Sequence, residues 1–189
     1  RRRAYRMGMA APLYYTADMV RALPDDGNSY EVVHGELLVS PSPRPWHEEV
    51  GIRLLVAVRL WLERHPVGHA FSSRSDLSWG LRDVLVSPDL FVVPLEEARR
   101  LDWLVLRNVL LVAEVLSPSS VRADRFTKRR LYQERGVPLY WVIDPDAHAV
   151  EVWRPTDDLP LTEREALTWH PAGLDEPFTL PLAELFRPL

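Results

Sequence analysis

The stretch Asn108–Ser117, NVLLVAEVLS, decides how the rest of the chain is read. From Val109 to Leu116 apolar residues fill both alternating registers, the pattern of a central strand covered on its two faces. Glu114 interrupts that run near its end. An ionised carboxylate in a dry interior is costly unless a cation, a metal or several donors compensate it. The partner of Glu114 is therefore the first thing to look for.

Upstream, Val84–Val93 reads as a strand, with Pro88 near its start, where a missing amide donor matters least. Asp89 opens Leu90-Phe-Val-Val93 and shares a face with Phe91 and Val93 by the period of two. If the two strands lie side by side, Asp89 and Glu114 converge, and a convergent carboxylate pair of this type holds a hard divalent cation such as Mg²⁺ or Mn²⁺, with water and phosphate oxygens completing the shell. Downstream, Arg122–Arg135 reads as a helix that ends at Gly136, with Pro138 beyond it. That helix carries the sole lysine of a chain with 22 arginines, Lys128. A compact ammonium can sit beside a water or phosphoryl oxygen in a way that a planar guanidinium cannot. The alternative reading of Lys128 is a surface i, i+4 pair with Asp124. Six basic residues against two acidic ones give this segment a local net of +4, which suits either a phosphate-facing rim or a solvated helix face.

Around this centre the remaining elements fall into place. A short helix near Thr16–Leu23 precedes Tyr30–Ser40, which reads as a hairpin turning at His34-Gly35. A proline-rich loop leads into a helix over Trp46–Arg64, with apolar residues at Val50, Leu54, Val58, Trp61 and Leu62 and a stop before Pro66. Phe71–Trp79 reads as a strand, Glu96–Trp103 as a short helix, and Leu139–Asp144 with Val150–Arg154 as a final strand pair. The order predicts an α/β (α+β) layer structure: a mixed β-sheet core flanked by helices, with an N-terminal β-hairpin. Residues 13–189 are expected to form one domain with a core over about 30–154 and a peripheral C-terminal segment, 155–189, whereas the arginine-rich segment 1–12 is expected to be disordered.

Composition limits the function classes. A formal charge of -4 gives no overall basic field, and the absence of cysteine excludes disulfides and thiolate chemistry and agrees with a cytoplasmic location. No apolar run reaches the length of a membrane span, so no membrane partner is expected. Neither a phosphate-cradling glycine loop nor a glycine-flanked serine nucleophile is found.

The motifs SPDLFVV, LVAEVLSPSS, DRFTKRRLY and GVPLYWVIDP, in that order after YEVVHGELLVSPSP, carry a resemblance. Together they resemble the Uma-type restriction-endonuclease family of the PD-(D/E)XK nuclease superfamily. The resemblance implies a restriction-endonuclease-like sheet and metal-assisted hydrolysis of phosphodiester bonds in DNA, with Mg²⁺ or Mn²⁺ as cofactor and a homodimer as a convenient way to cut both strands. It matches Asp89 and Glu114 to the metal-binding pair of the signature. Leu116 stands where the signature lysine belongs; in similar branches the lysine lies on the following helix, the place of Lys128. Asp89, Glu114 and Lys128 are thus the expected catalytic set. The resemblance also points to Glu36 and His47 as positions near the site mouth and to Glu48 or Glu49 as an auxiliary metal-side glutamate; Asp124, one turn before Lys128, is a further auxiliary candidate. Glu48, like Glu49, stands in a first helical turn that favours carboxylates for the helix dipole alone. A catalytically silent module that keeps the fold and binds nucleic acid or a protein partner is the rival expectation.

Overall fold

The computed structural model describes residues 14–72 and 75–189; the N-terminal segment 1–12 lies outside the described residues. Helix α1 (Ala17–Arg21) is capped by Thr16, whose hydroxyl accepts from the Met19 amide. Strands β1 (Ser29–Val33) and β2 (Glu36–Ser40) pair antiparallel. Their turn has positive φ at both His34 (50°) and Gly35 (81°), the backbone of a tight two-residue hairpin. Helix α2 (Pro45–Arg64) starts with proline at its first position, where the missing amide costs nothing, and buries Val50, Leu54, Val58, Trp61 and Leu62.

Strands β3 (Gly68–Ser72) and β4 (Leu90–Pro94) lead to a short helix α3 (Leu95–Ala98) and a 3-10 turn at Trp103–Val105. The single helix expected over Glu96–Trp103 is broken between them, with Leu101 at φ 51°. Strand β5 (Leu111–Val115) is followed by a π-helical stretch, Ala123–Lys128, that runs directly into α4 (Arg129–Glu134). Then come β6 (Tyr140–Asp144), β7 (Ala149–Trp153), β8 (Leu161–Glu163), β9 (Ala166–Trp169), β10 (Phe178–Pro181) and α5 (Leu182–Leu185).

Six of the strands form one mixed sheet in the order β3-β4-β5-β6-β7-β8. Only β5 and β6 run parallel, because the π and α4 helices carry the chain back across the sheet between them. Alternation along β5 divides the core. Leu111, Ala113 and Val115 face α2 and the C-terminal elements, whereas Val112 and Leu116 face the cluster that contains Leu131 and Tyr132 of α4. Glu114, between Val112 and Leu116 in that alternation, points to the α4 side.

Two expectations change. The segment after Pro155 is not peripheral: Leu167, Trp169, Phe178, Leu180, Leu182, Leu185 and Phe186 are buried in the same cluster as Val50 and Leu54 of α2. The strand expected over Phe71–Trp79 pairs regularly only to Ser72, after which a single bridge joins Leu77 to Val86. Among the described residues no helix is long and apolar enough to cross a membrane.

Candidate active site

Strand register brings the two signature carboxylates together. In the β4–β5 ladder Leu90 stands opposite Ala113, so the next antiparallel position sets Asp89 against Glu114. Regular pairing stops there, and side chains take over the backbone donors. The Val115 amide donates to Asp89 Oδ2 at 2.7 Å, and the Asp89 amide approaches Glu114 Oε2 at 3.4 Å. The amides of Val112 and Leu116 donate to the carbonyls of Leu139, just before β6, and Ile143 within it, so the amide and carbonyl of Val115 project the other way, toward Asp89.

Glu114 is buried, and its inner oxygen is compensated by protein groups. Oε1 accepts from Lys128 Nζ at 3.1 Å and from the Tyr132 hydroxyl at 2.8 Å. Lys128 is itself buried and also meets Glu31 Oε2 at 2.7 Å and Asp124 Oδ1 at 3.3 Å. The Asp124 contact is an ion pair by distance, yet Oδ1 accepts no well-directed hydrogen bond. The surface-pair reading of Asp124 and Lys128 is therefore replaced by a buried one: both lie on the α4-side face that continues through Leu131 and Tyr132. Helices that include a π stretch are concentrated at functional sites.

One ammonium cannot neutralise three carboxylates. Burial raises the pKa of Glu114 well above the ordinary carboxylate value, helped by Asp124, Asp89 and Glu31 and opposed by Lys128. Burial likewise raises Glu31, against the attraction of Lys128. For Lys128 burial favours the neutral amine, but Glu114, Glu31 and Asp124 outweigh it and hold the ammonium well above its usual value. Burial and the nearby Glu114 keep the Tyr132 hydroxyl protonated, as a donor.

His47, in the first turn of α2, approaches from the opposite face of the sheet. Its Nε2 lies 3.3 Å from Asp89 Oδ2. Burial lowers its proton affinity, but Asp89, then Glu48, raise the pKa above the ordinary histidine value on balance. The protonated ring therefore contributes stability that is complete below the ordinary histidine pKa and is lost as pH rises through the higher folded value. In metal-free buffer the NMR titration of His47 is expected above that ordinary value, and Asp89→Asn is expected to move it down. An unmoved midpoint would mean that the contact is not made in solution.

The other expected residues divide. Glu48 lines a groove of about 80 Å³ beside the site, together with His47, Gly51, Ile52, Leu55, Ser72 and Asp89. Glu36 is not brought in: it is exposed next to the hairpin turn, opposite Val33. The carboxylate that the hairpin does contribute is Glu31, which the sequence reading missed. The signal was there, since Glu31 shares a strand face with the core residue Val33. Of the basic rim, Lys128 is buried, Arg125 is paired with Asp144 and Glu151, and Arg129 lies over the Trp153 ring, which leaves Arg122, Arg130 and Arg135 exposed.

Among the described residues no group of three or more His, Asp or Glu side chains is arranged to hold a metal. Mg²⁺ needs no such group, since it ordinarily takes one or two carboxylates and keeps several waters. The donors fit such an ion. Among the described residues no hydrogen bond reaches Asp89 Oδ1, and Glu114 Oε2 has only the long contact to the Asp89 amide; the Val115 carbonyl, on the same side, also meets His47.

A six-stranded mixed sheet with helices on both faces, and facing carboxylates where its central antiparallel pair ends, defines a restriction-endonuclease-like fold. The model of the family described as "Putative restriction endonuclease" (Uma2) matches residues 17–183, and the chain belongs to that family. It is similar in fold to the crystal structure of "a putative nuclease belonging to DUF820" from Anabaena variabilis ATCC 29413, with a TM-score of 0.75 and 24% sequence identity over 91% of this chain and 97% of that one. No curated protein matches significantly.

Proposed function

We propose that this chain is a Mg²⁺- or Mn²⁺-dependent endonuclease that hydrolyses phosphodiester bonds in DNA. The observation that carries the reading is the register that faces Asp89 with Glu114, while Lys128 and Tyr132 occupy only the inner oxygen of Glu114. Asp89, Glu114 and the Val115 carbonyl would hold the cation. When bound, such an ion polarises the scissile phosphate and lowers the pKa of a coordinated water.

The protein's own groups prepare that site. Lys128 opposes the protonation of Glu114 that burial favours and, with Tyr132, fixes its Oε1, so that Oε2 faces Asp89. Lys128 thus acts as a positioning residue through Glu114. The Val115 amide fixes Asp89 in the same way through Oδ2. Protonated His47 offsets negative charge at Asp89, and the adjoining groove admits solvent or a phosphate group rather than a whole nucleotide. Exposed Arg122, Arg130 and Arg135 are the basic residues of this segment left for a phosphate backbone. Two paired copies would supply one site for each DNA strand.

One observation favours the rival reading of a silent binding module: the lysine is enclosed by three carboxylates, and apolar Leu116 stands at the signature position. Incubation with supercoiled plasmid separates the two. Nicking is expected with Mg²⁺ or Mn²⁺, none with a chelator, and a roughly 10²–10³-fold loss in Asp89→Asn, the scale of losing one group that stabilises a transition state. Cation-independent nicking, or none on any DNA, would contradict the proposal.

A further inference from the structure

Building on the nuclease reading, we propose that Gly51 is a substrate-contact position: it keeps open, beside Asp89, a groove that takes the edge of the deoxyribose next to the scissile phosphate. Gly51 stands seventh among the 20 residues of α2, in the interior of the helix. Glycine there costs stability relative to alanine, because it loses more backbone freedom on folding. Among the described residues every other glycine has a reason in the backbone: five have positive φ, and at Gly68 an added Cβ would stand 2.6 Å from the Val93 carbonyl oxygen. Gly51 has neither. A Cβ at this position would meet no described atom within 4 Å outside its own helix backbone and chain neighbours.

The place of that gap points to a ligand. Glu48, Gly51, Ile52 and Leu55 follow at i, i+3, i+4 and i+7, so they form one stripe of α2 and one wall of the groove, which Ser72 and Asp89 reach from β3 and the start of β4. A side chain at position 51 would stand in the middle of this wall, in the free space of the groove. The fold thus tolerates a helix glycine where even a methyl group would narrow the approach to Asp89. Glycine serves in this way where a ligand must come close to the backbone.

The lining selects the occupant. A groove of about 80 Å³ takes one small group. Glu48 and Asp89 bring two carboxylates to it against the single cation of protonated His47, which disfavours a second phosphate, while Ile52 and Leu55 supply an apolar wall. The edge of a sugar ring is neutral and largely C–H, and it is covalently next to the phosphate that is to be cut. The Ser72 hydroxyl is a group on the lining able to donate to a sugar oxygen. An apolar wall with few polar groups to fix orientation is the usual make-up of a small-ligand site.

Thermal unfolding and plasmid nicking by Gly51→Ala and Gly51→Leu provide the test. Both replacements are better helix formers, so the unfolding midpoint should rise by about 2–4 °C with alanine and should not fall with leucine. Nicking should move the other way, with kcat/KM falling about tenfold with alanine and about a hundredfold with leucine, the scale of a displaced substrate. Unchanged kcat/KM in both variants would overturn the proposal, as would a midpoint that falls in Gly51→Ala, since the fold itself would then need the glycine. Binding of a fluorescent DNA duplex in Ca²⁺, read by anisotropy, separates the groove from the nuclease reading. A wild type that binds but never nicks contradicts the nuclease reading alone, provided that Gly51→Leu still weakens binding about tenfold. Equal affinities for the two proteins, or no binding by wild type, would overturn the groove assignment.

Discussion

Replacing Lys128 with methionine is expected to destabilise the chain by about 3–5 kcal/mol at neutral pH, the usual consequence of removing one partner from a buried ion cluster. For a chain of this size that is a fall of roughly 6–20 °C in the unfolding midpoint. The size comes from what remains: Glu31, Glu114 and Asp124, all nearly free of solvent, without their shared cation. The pH dependence follows from the signs. The folded pKa of Lys128 is raised, so its contribution is present throughout the neutral range and is lost only as pH rises through that folded value. In the variant the three carboxylates must take up protons to remain buried, so the deficit should narrow as pH falls. Thermal unfolding at pH 4.5 and pH 8 measures both effects. A surface i, i+4 pair would give a few tenths of a kcal/mol and little pH dependence.

Glu114→Gln should separate stability from chemistry. The folded pKa of Glu114 is raised, so ionisation of this group costs stability, and the cost grows as pH rises from the ordinary carboxylate range through the folded value. The amide removes one of three negative charges from around Lys128, and its carbonyl can still accept from the Tyr132 hydroxyl. The unfolding midpoint should therefore be unchanged or higher at pH 8, with the gain shrinking toward pH 4.5. Activity should move the opposite way, since the outward oxygen facing Asp89 becomes a neutral amide and a poorer metal ligand. Functional sites commonly give up stability in this manner. A variant less stable at pH 8 than at pH 4.5, relative to wild type, would mean that the cluster needs the Glu114 charge for folding.

Much of this arrangement was legible from local pattern. Alternation through Val109–Leu116 identified a doubly covered strand, and its lone carboxylate announced a compensated site. The solitary lysine among arginines marked Lys128, because a residue choice so uneven needs a chemical reason. The inner oxygen of Glu114 is compensated by Lys128, the lysine so marked, together with Tyr132. The sequence could not distinguish the π stretch from an α-helix, since Asp124, Lys128, Leu131 and Tyr132 keep α-helical spacing. Alternation marks Glu31 as inward-facing beside Val33, but its partner Lys128, far along the chain, is set by tertiary packing alone. The C-terminal core contacts were illegible for a similar reason. Short apolar pieces such as Leu167, Trp169, Phe178 and Leu180 carry little local periodicity, and their burial depends on α2, more than 100 residues away in the chain.

The most direct test of the account is the Mg²⁺-dependent nicking rate of supercoiled plasmid by wild type and Glu114→Gln, measured at a temperature where both are fully folded. The account predicts nicking by wild type and a loss of roughly 10²–10³-fold in a variant that is no less stable. Equal rates for the two proteins, or no nicking by wild type with either Mg²⁺ or Mn²⁺, would contradict it.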